Sequence, residues 1–419
     1  MMSRYHLFFI LIFIDFSSFA QTVAFPGAGG FGKFARGGRG GEVYHVTNLD
    51  DFGSGSFREA VSQPHRIIVF DIAGVIRIKS KLSVASYITI AGQTAPGEGI
   101  TIYGNGVSFS GSNDVIVCGI RFRGSVDMGR GTCTVSADHA HDIIFDHVSI
   151  EWGRWDNLHI KESKDITLQY CLIGEGINPQ MFGALLEHPV NLTIHHCLWV
   201  DNQSRNPKAK AGIEFINNVI YNWGSNGFVG GHSGANHYQD IINNYFIAGP
   251  NSSESFICMF TATDHVYQKG NLVDQDKDGK LNGCLITNDD FSKIGATIET
   301  KANNSSLSES EIDTPVMACK KVLACSGASR HRDAVDKRLV SYVKSLGKKG
   351  MIIRSEEEAG GQKRDQHKAK RSARDTDGDG MPDRWEKRHH LNPKNPDDGN
   401  TITHDGYTNL EIYVNKLVQ

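Results

Sequence analysis

Three cations crowd one bend of this chain. In HHCLWVDNQSRNPKAKAG, from His195 to Gly212, Arg205, Lys208 and Lys210 surround Pro207. An extended segment, NLTIHHCLWV, enters the bend, and another, IEFINNVIYNW, leaves it. Proline fixes the backbone there, and loops braced by regular structure are where binding and catalytic groups concentrate. Arginine grips a carboxylate with a planar fork, and lysine acts as a point charge. The bend is therefore a candidate site for an anionic ligand, with Arg205 its first residue. A second constellation lies near the C-terminus, in DTDGDGMPDRWE. Its spacing fits a calcium loop, with Asp375, Asp377 and Asp379 at positions 1, 3 and 5, the Met381 carbonyl at 7, Asp383 at 9 and Glu386 at 12. Gly380 stands at the sharp turn. A degenerate copy follows from Asp405 to Glu411, with Ile412 at its last position. A third stretch, DQDKDGKLNG, aligns Asp274, Asp276, Asp278 and Gly279 but has Leu285 where a bidentate Glu belongs, and reads as a weaker calcium candidate or a tight turn.

The elements that must position these residues repeat along the chain. DVIVCGIRF, DIIFDHVSI, DITLQYCLI, NLTIHHCLW and GIEFINNVI share one pattern of a polar or small start, an alternating β-rich run and a polar pair. Their starts, at Asp114, Asp142, Asp165, Asn191 and Gly212, are 28, 23, 26 and 21 residues apart. Short strands at that period, without helical periodicity between them, predict a solenoid of stacked β-coils; a sandwich would show turns every 8–12 residues. Aligned in register, Cys171 falls over Cys197, and with a small shift Asn218 falls over Asn244. Such ladders carry the fold, because Asn side chains hydrogen-bond along the stack.

The 419 residues suffice for one large domain and a small one, and a net charge of −3 argues against a general nucleic-acid binder. The start of the chain reads as a cleaved signal peptide: Arg4 and His6 precede the apolar run from Leu7 to Ile14, and Ser18-Phe19-Ala20 offers small residues before a cut after about Ala20. No other segment is long and apolar enough to span a membrane, so a secreted or periplasmic monomer is expected. Export permits disulfides among the eight Cys, with Cys319–Cys325 the nearest pair in a polar region. From 344 to 374 the sequence turns charged and poor in apolar residues, a surface tail and linker. The domain layout is a signal peptide over 1–20, the solenoid over 21–343, this linker, and a calcium-loop module over 375–419.

Several separated motifs resemble the pectate lyase superfamily of polysaccharide lyases: AFPGAGGFGKFARGGRGGEVYHVTNLDDFGSGSFREAV, RIIVFDIAGVI, ITIAGQTAPGEGI, the Arg205 bend, and SRHRDAVDKRLV from Ser329. The resemblance covers most of residues 22–345. It implies an all-β, right-handed parallel β-helix, and β-elimination of a polyuronide: a base takes the C5 proton beside the carboxylate of a uronic acid unit, and the 4-O bond breaks. An acidic plant polysaccharide is the implied partner. The family's base is an Arg in an Arg-x-Pro turn, which places that role on Arg205, or a carboxylate-clamping role, since an isolated Arg holds its proton. A second family Arg falls on Lys210. Lys208 assists in substrate binding.

Calcium-dependent members set acids on the neighbouring coils, and here the match thins. The usual paired Asp positions fall near Gly131 and Cys133, and His159 stands where an Asp is common. Asp127, Glu151 and Asp156 form a reduced candidate set for Ca²⁺, unless Glu151 and Asp156 merely pair with Arg154 or Lys161. Trp152 and Trp155 lie in the same coils and are candidate sugar-stacking faces or ordinary packing residues. His195 and His196, adjacent on a strand, are expected on opposite faces. Other readings are a pectin lyase acting on esterified substrate without metal, a glycoside hydrolase using Glu151 and Asp156, and a non-catalytic pectin-binding solenoid.

Overall fold

The computed structural model describes residues 21–362 and 372–418. The proposed signal segment, 1–20, and residues 363–371 of the charged run lie outside them. The strands wind into a parallel β-solenoid of about 9 turns, and three sheets of 11, 10 and 8 strands run its length. Among the described residues the solenoid strands pair in parallel; the antiparallel pairings are Leu272–Asp274 with Cys284–Leu285 and the isolated bridge Ile402 to Thr408. The first half of each repeated run lies in the first sheet and its second half, past a corner, in the second; in the first sheet successive coils stack residue on residue. Val117, Phe145, Leu168, Ile194, Phe215 and Ile241 form one such column, all fully buried. Burial of each such side chain contributes about 1.5–3 kcal/mol, so the column is a spine of the core.

One edge of the first sheet ends in a ladder. Cys171 N–H donates to Cys197 Sγ at 3.3 Å, Cys197 N–H to Asn218 Oδ1 at 2.9 Å, Asn218 N–H to Asn244 Oδ1 at 2.8 Å, and Asn244 N–H to Asn271 Oδ1 at 2.9 Å. The residue before each ladder position, from Tyr170 through His196, Asn217 and Asn243 to Gly270, has positive φ. A left-handed residue turns the chain there, which explains the run of Asn at these corners. His195 and His196 straddle such a corner. They do not diverge to opposite faces: their Nδ1 atoms lie 3.0 Å apart, both rings are buried, and His196 Nε2 reaches Asp313 at 2.9 Å.

Two other segments close the solenoid. Helix Ala334–Val343 seats Leu339, Val340 and Val343 against Leu172, Leu198 and Val200 of the second sheet. The tail after it also packs, for Ile353 is fully buried and Glu356 Oε1 accepts from the Tyr103 hydroxyl at 3.0 Å. Residues 372–418 dock on the first sheet, where Met381, Leu410 and Val414 meet Ile67, Val69 and Ala91. All eight Cys are free. Cys319 and Cys325 share helix Pro315–Cys325 six residues apart, which points them to different sides, so the expected bridge does not form. No helix among the described residues is long and apolar enough to cross a membrane.

Candidate active-site cleft

The outer face of the third sheet collects the charged residues of the bend. Strand Lys208–Lys210 pairs with Phe182–Glu187, which pairs with Asp156–Lys161. Side chains alternate across a strand, so Ala209 enters the core and Lys208 and Lys210 face out. Register sets Lys208 beside Leu185 and His159, and Lys210 beside Glu187 and Lys161. Arg205 reaches back over this face. Its Nη1 donates to both oxygens of Asp156, at 3.2 and 3.0 Å, and its guanidinium lies 4.3 Å from the Phe182 ring centroid. That ring steadies the cation without consuming its hydrogen-bonding capacity.

Buried amides hold the bend from below. Asn202 Nδ2 donates to Asn206 Oδ1 at 2.9 Å, and Asn157 Nδ2 donates to Asn202 Oδ1 at 3.0 Å. Asn206 Nδ2 in turn donates to the Asn226 carbonyl at 3.2 Å. This chain of fully satisfied polar groups spans successive coils and fixes where Arg205 leaves the backbone.

The acids of this face are all settled by cations. Burial pushes the Asp156 carboxyl up to about 7, against the pull of Arg205. Glu187 accepts from Lys210 Nζ at 3.3 Å and contacts His159 Nε2 at 3.1 Å; partial burial would raise it, but these two partners hold it below its ordinary value. Lys208 makes no ion pair among the described residues, and burial, Arg205 and Lys210 lower its pKa. Beyond Lys210 the surface opens into a depression of about 560 Å³ lined partly by His188, His237, Tyr238 and Asn304.

The expected metal set does not assemble. Glu151 ends a strand of the second sheet, and Asp156 begins one of the third; the corner between them turns their side chains into different surroundings. Glu151 is fully buried and bonded to Arg123 Nε at 2.5 Å. Arg123 also takes Asp333 and Asp336, which locks helix Ala334–Val343 to the sheet. Asp127 is exposed on a turn, its amide bonded to Ser125 Oγ. Trp152 is likewise no sugar platform: it is fully buried, with Arg123 5.1 Å from its ring centroid and its Nε1 donating to Glu175 Oε2 at 3.0 Å. Trp155 stays 38% exposed, over Gly131. Sequence reasoning missed Glu187, Asn202 and Arg123. The outward parity of Glu187 in FGALLE was available as a signal; the long-range partners of Arg123 were not.

At the C-terminus, Asp375, Asp377 and Asp379 each offer a carboxylate oxygen within 4.8 Å of the others, and so do Asp379, Glu386 and Asp398. Asp383 Oδ2 accepts from Thr376 Oγ1 at 2.9 Å. The Met381 side chain is buried against the first sheet, which leaves its carbonyl to the loop. The degenerate copy is used otherwise: Glu411 caps its helix through Thr408 and pairs with Arg39 at 2.8 Å. In the third stretch, Asp276 and Asp278 accept from the amides of Asp278 and Lys280, a turn geometry.

The fold and the bend define a parallel β-solenoid that carries a cluster of cations on one outer sheet face. The chain is 41% identical over 414 residues to "Probable pectate lyase C" of Neosartorya fischeri, an alignment covering 97% of each protein. It belongs to the pectate lyase family and is an enzyme of that kind. Among solved structures, a mutant Bacillus subtilis pectate lyase superposes with a TM-score of 0.55 at 14% identity, over 72% of this chain and 97% of the other. A pectate lyase described for its substrate specificity and anti β-elimination mechanism gives 0.53 at 13% identity, over 74% and 98%. No protein-family profile matches the chain.

Proposed function

We propose that this protein cleaves a polyuronide, of the polygalacturonate type, by β-elimination at a uronic acid unit. The reading is carried by Arg205, Lys208 and Lys210 on one outer face, with Lys208 free of any ion pair among the described residues. A C5 proton is weakly acidic, and preplaced cations meet the charge that develops on the adjacent carboxylate as it leaves. Lys208 and Lys210 hold that carboxylate. Arg205 gives a proton to Asp156, whose carboxyl burial holds up at about 7, and its neutral guanidine takes the C5 proton; the C5–H electron pair forms the C4–C5 double bond, the C4–O4 bond breaks, and O4 leaves with the departing chain and is protonated from water. Three cations favour free carboxylates over methyl esters, which sets pectate ahead of pectin. Trp155 offers a partly open stacking face.

The donors of this face do not fit a resident calcium. Both Asp156 oxygens bond to Arg205, and the Glu187 carboxylate is shared between Lys210 and His159, whereas Ca²⁺ takes 6–8 oxygen ligands. No step is assigned to a metal here. Polygalacturonate incubated with the protein should give the ultraviolet absorbance of an unsaturated product. New reducing ends without that absorbance would mean hydrolysis, and binding without either would mean a lectin. Export as a monomer is part of the reading; N-terminal sequencing of secreted protein should begin near Gln21.

A further inference from the structure

Asp377, Asp379, Glu386 and Asp398 of the C-terminal segment form no ion pair among the described residues. Glu386 is fully buried, and neither of its oxygens has a hydrogen-bond partner. Asp379 is 2% exposed; its Oδ1 accepts from the Met381 amide at 2.8 Å, and its Oδ2 is unpartnered. Both Asp377 oxygens, Asp383 Oδ1 and Asp398 Oδ1 are buried and unpartnered too. The nearest cations, His45 and Arg374, approach only Asp375 and Asp383, at 3.9 and 3.6 Å. Ionised carboxylates are not buried together without a compensating charge. Nitrogen and sulfur ligands are absent from both carboxylate clusters, so the donor set suits a hard cation.

The backbone prepares the same centre. Asp375 accepts from the Gly378 and Gly380 amides at 2.8 and 2.9 Å, folding the loop around its own acids. Asp398 comes from outside the loop. Its Oδ2 accepts from the Asn392 amide at 2.9 Å, which leaves Oδ1 toward Asp379 and Glu386. Its neighbour Gly399 runs so close that a Cβ there would stand 2.6 Å from the unpartnered Asp379 Oδ2. The Gly399 carbonyl accepts from the Leu410 amide at 3.0 Å, and Leu410 packs on Ile67 and Val69 of the first sheet.

We infer that one calcium-class divalent cation is held here, with Asp398 as a ligand beyond those of the loop spacing, and that it clasps residues 372–418 onto the first coils of the solenoid. The cation ties the loop to the turn carrying Asp398 and thus to the helix carrying Leu410 and Val414. This does not rest on the lyase reading. Ligation that exists only in the folded state stabilises it by mass action.

The test uses the full chain, stripped of metal with a chelator and titrated with calcium or terbium. Calcium should raise the melting midpoint and protect residues 372–418 from protease. Terbium should luminesce on excitation of Trp385, which adjoins Glu386; Trp385→Phe should lose the luminescence and keep the calcium-induced shift. Asp398→Asn and Glu386→Gln should each weaken calcium binding by at least about tenfold, with the lyase rate below the melting range unchanged. Asp276→Asn, in the third acidic stretch, should leave calcium binding unchanged. A melting midpoint that ignores calcium, with no terbium signal, would overturn the site. Asp398→Asn binding calcium as tightly as the unaltered chain would remove Asp398 from it. Because Asp398 is half-exposed, its variant reports even if Glu386→Gln fails to fold.

Discussion

Two regions of this enzyme gather carboxylates, and they settle them in opposite ways. In the cleft, Asp156 and Glu187 are each bonded to side-chain cations, and Lys208 remains without an ion pair among the described residues. At the C-terminus, Asp379 and Glu386 sit buried, and they and the half-buried Asp377 carry oxygens that nothing in the described chain satisfies. Acid count alone would place calcium in both. Counting partners separates them: the first region has charge to offer an anion, and the second has charge to offer a cation. Buried acids thus inform only together with what neutralises them.

The largest effect that tests the contrast is at Arg205. Arg205→Ala should lower the elimination rate by roughly 10²–10³, the typical loss for one charge-stabilising donor, while the melting midpoint stays within the range of a surface change. Product absorbance and a thermal melt on the same preparation check both halves. Undiminished activity would dissolve the cleft as an anion site.

A third settlement of buried acid lies under helix Ala334–Val343. There Arg123 is the one ion-pair partner of Glu151 and Asp336 among the described residues, at 2.5 and 2.7 Å, and it also grips Asp333. Arg123→Met should destabilise by about 3–5 kcal/mol, because it strands buried carboxylates rather than exposed ones. Denaturant unfolding measures it. A loss no larger than a surface substitution would show that these acids protonate freely, and would weaken the same argument at the C-terminal loop.

What the sequence disclosed follows from which forces are local. The coil period, the Cys171–Cys197 stack and the Asn218–Asn244 ladder were legible because each is a repeat along one strand direction, and the structure places them as the pattern requires. A short motif singled out Arg205 and Lys210, and the structure brings both to the outer face of the third sheet. Glu151 and Trp152 were misplaced because a corner at Trp152, with φ of 64°, turns the chain from one sheet to the next within a few residues. Linear proximity to Asp156 carried no information across that corner. Asp398 was invisible because it lies outside the loop spacing and reaches the site only through tertiary packing.

A smaller effect separates the two lysines. Lys210 shares Glu187 with His159, whereas Lys208 is unshared. Lys208→Ala should therefore raise KM for polygalacturonate by about tenfold, equivalent to about 1.4 kcal/mol of carboxylate binding, and Lys210→Ala by less. Initial rates across substrate concentrations give the split. Equal losses would mean that substrate displaces Glu187 from Lys210, making the whole strand face available.

The smallest effect concerns Asp156 and pH. Its carboxyl, raised by burial to about 7, binds its proton more tightly in the folded chain than in the unfolded one. The folded state thus carries the extra proton between the ordinary carboxylate range and about 7. Stability from this group is fully present below that range, falls as pH rises through it, and is flat above about 7. The slope cannot exceed about 1.4 kcal/mol per pH unit for one proton. Asp156→Asn should remove it, with calcium in excess so that the C-terminal carboxylates stay ligated. The same variant should shift the acid limb of the elimination rate, because ionised Asp156 is the group that takes the proton from Arg205. A slope and a limb both unchanged in Asp156→Asn would mean that Arg205, not Asp156, sets the charge of this face at every pH, and the ion pair between them would no longer distinguish the cleft from the loop.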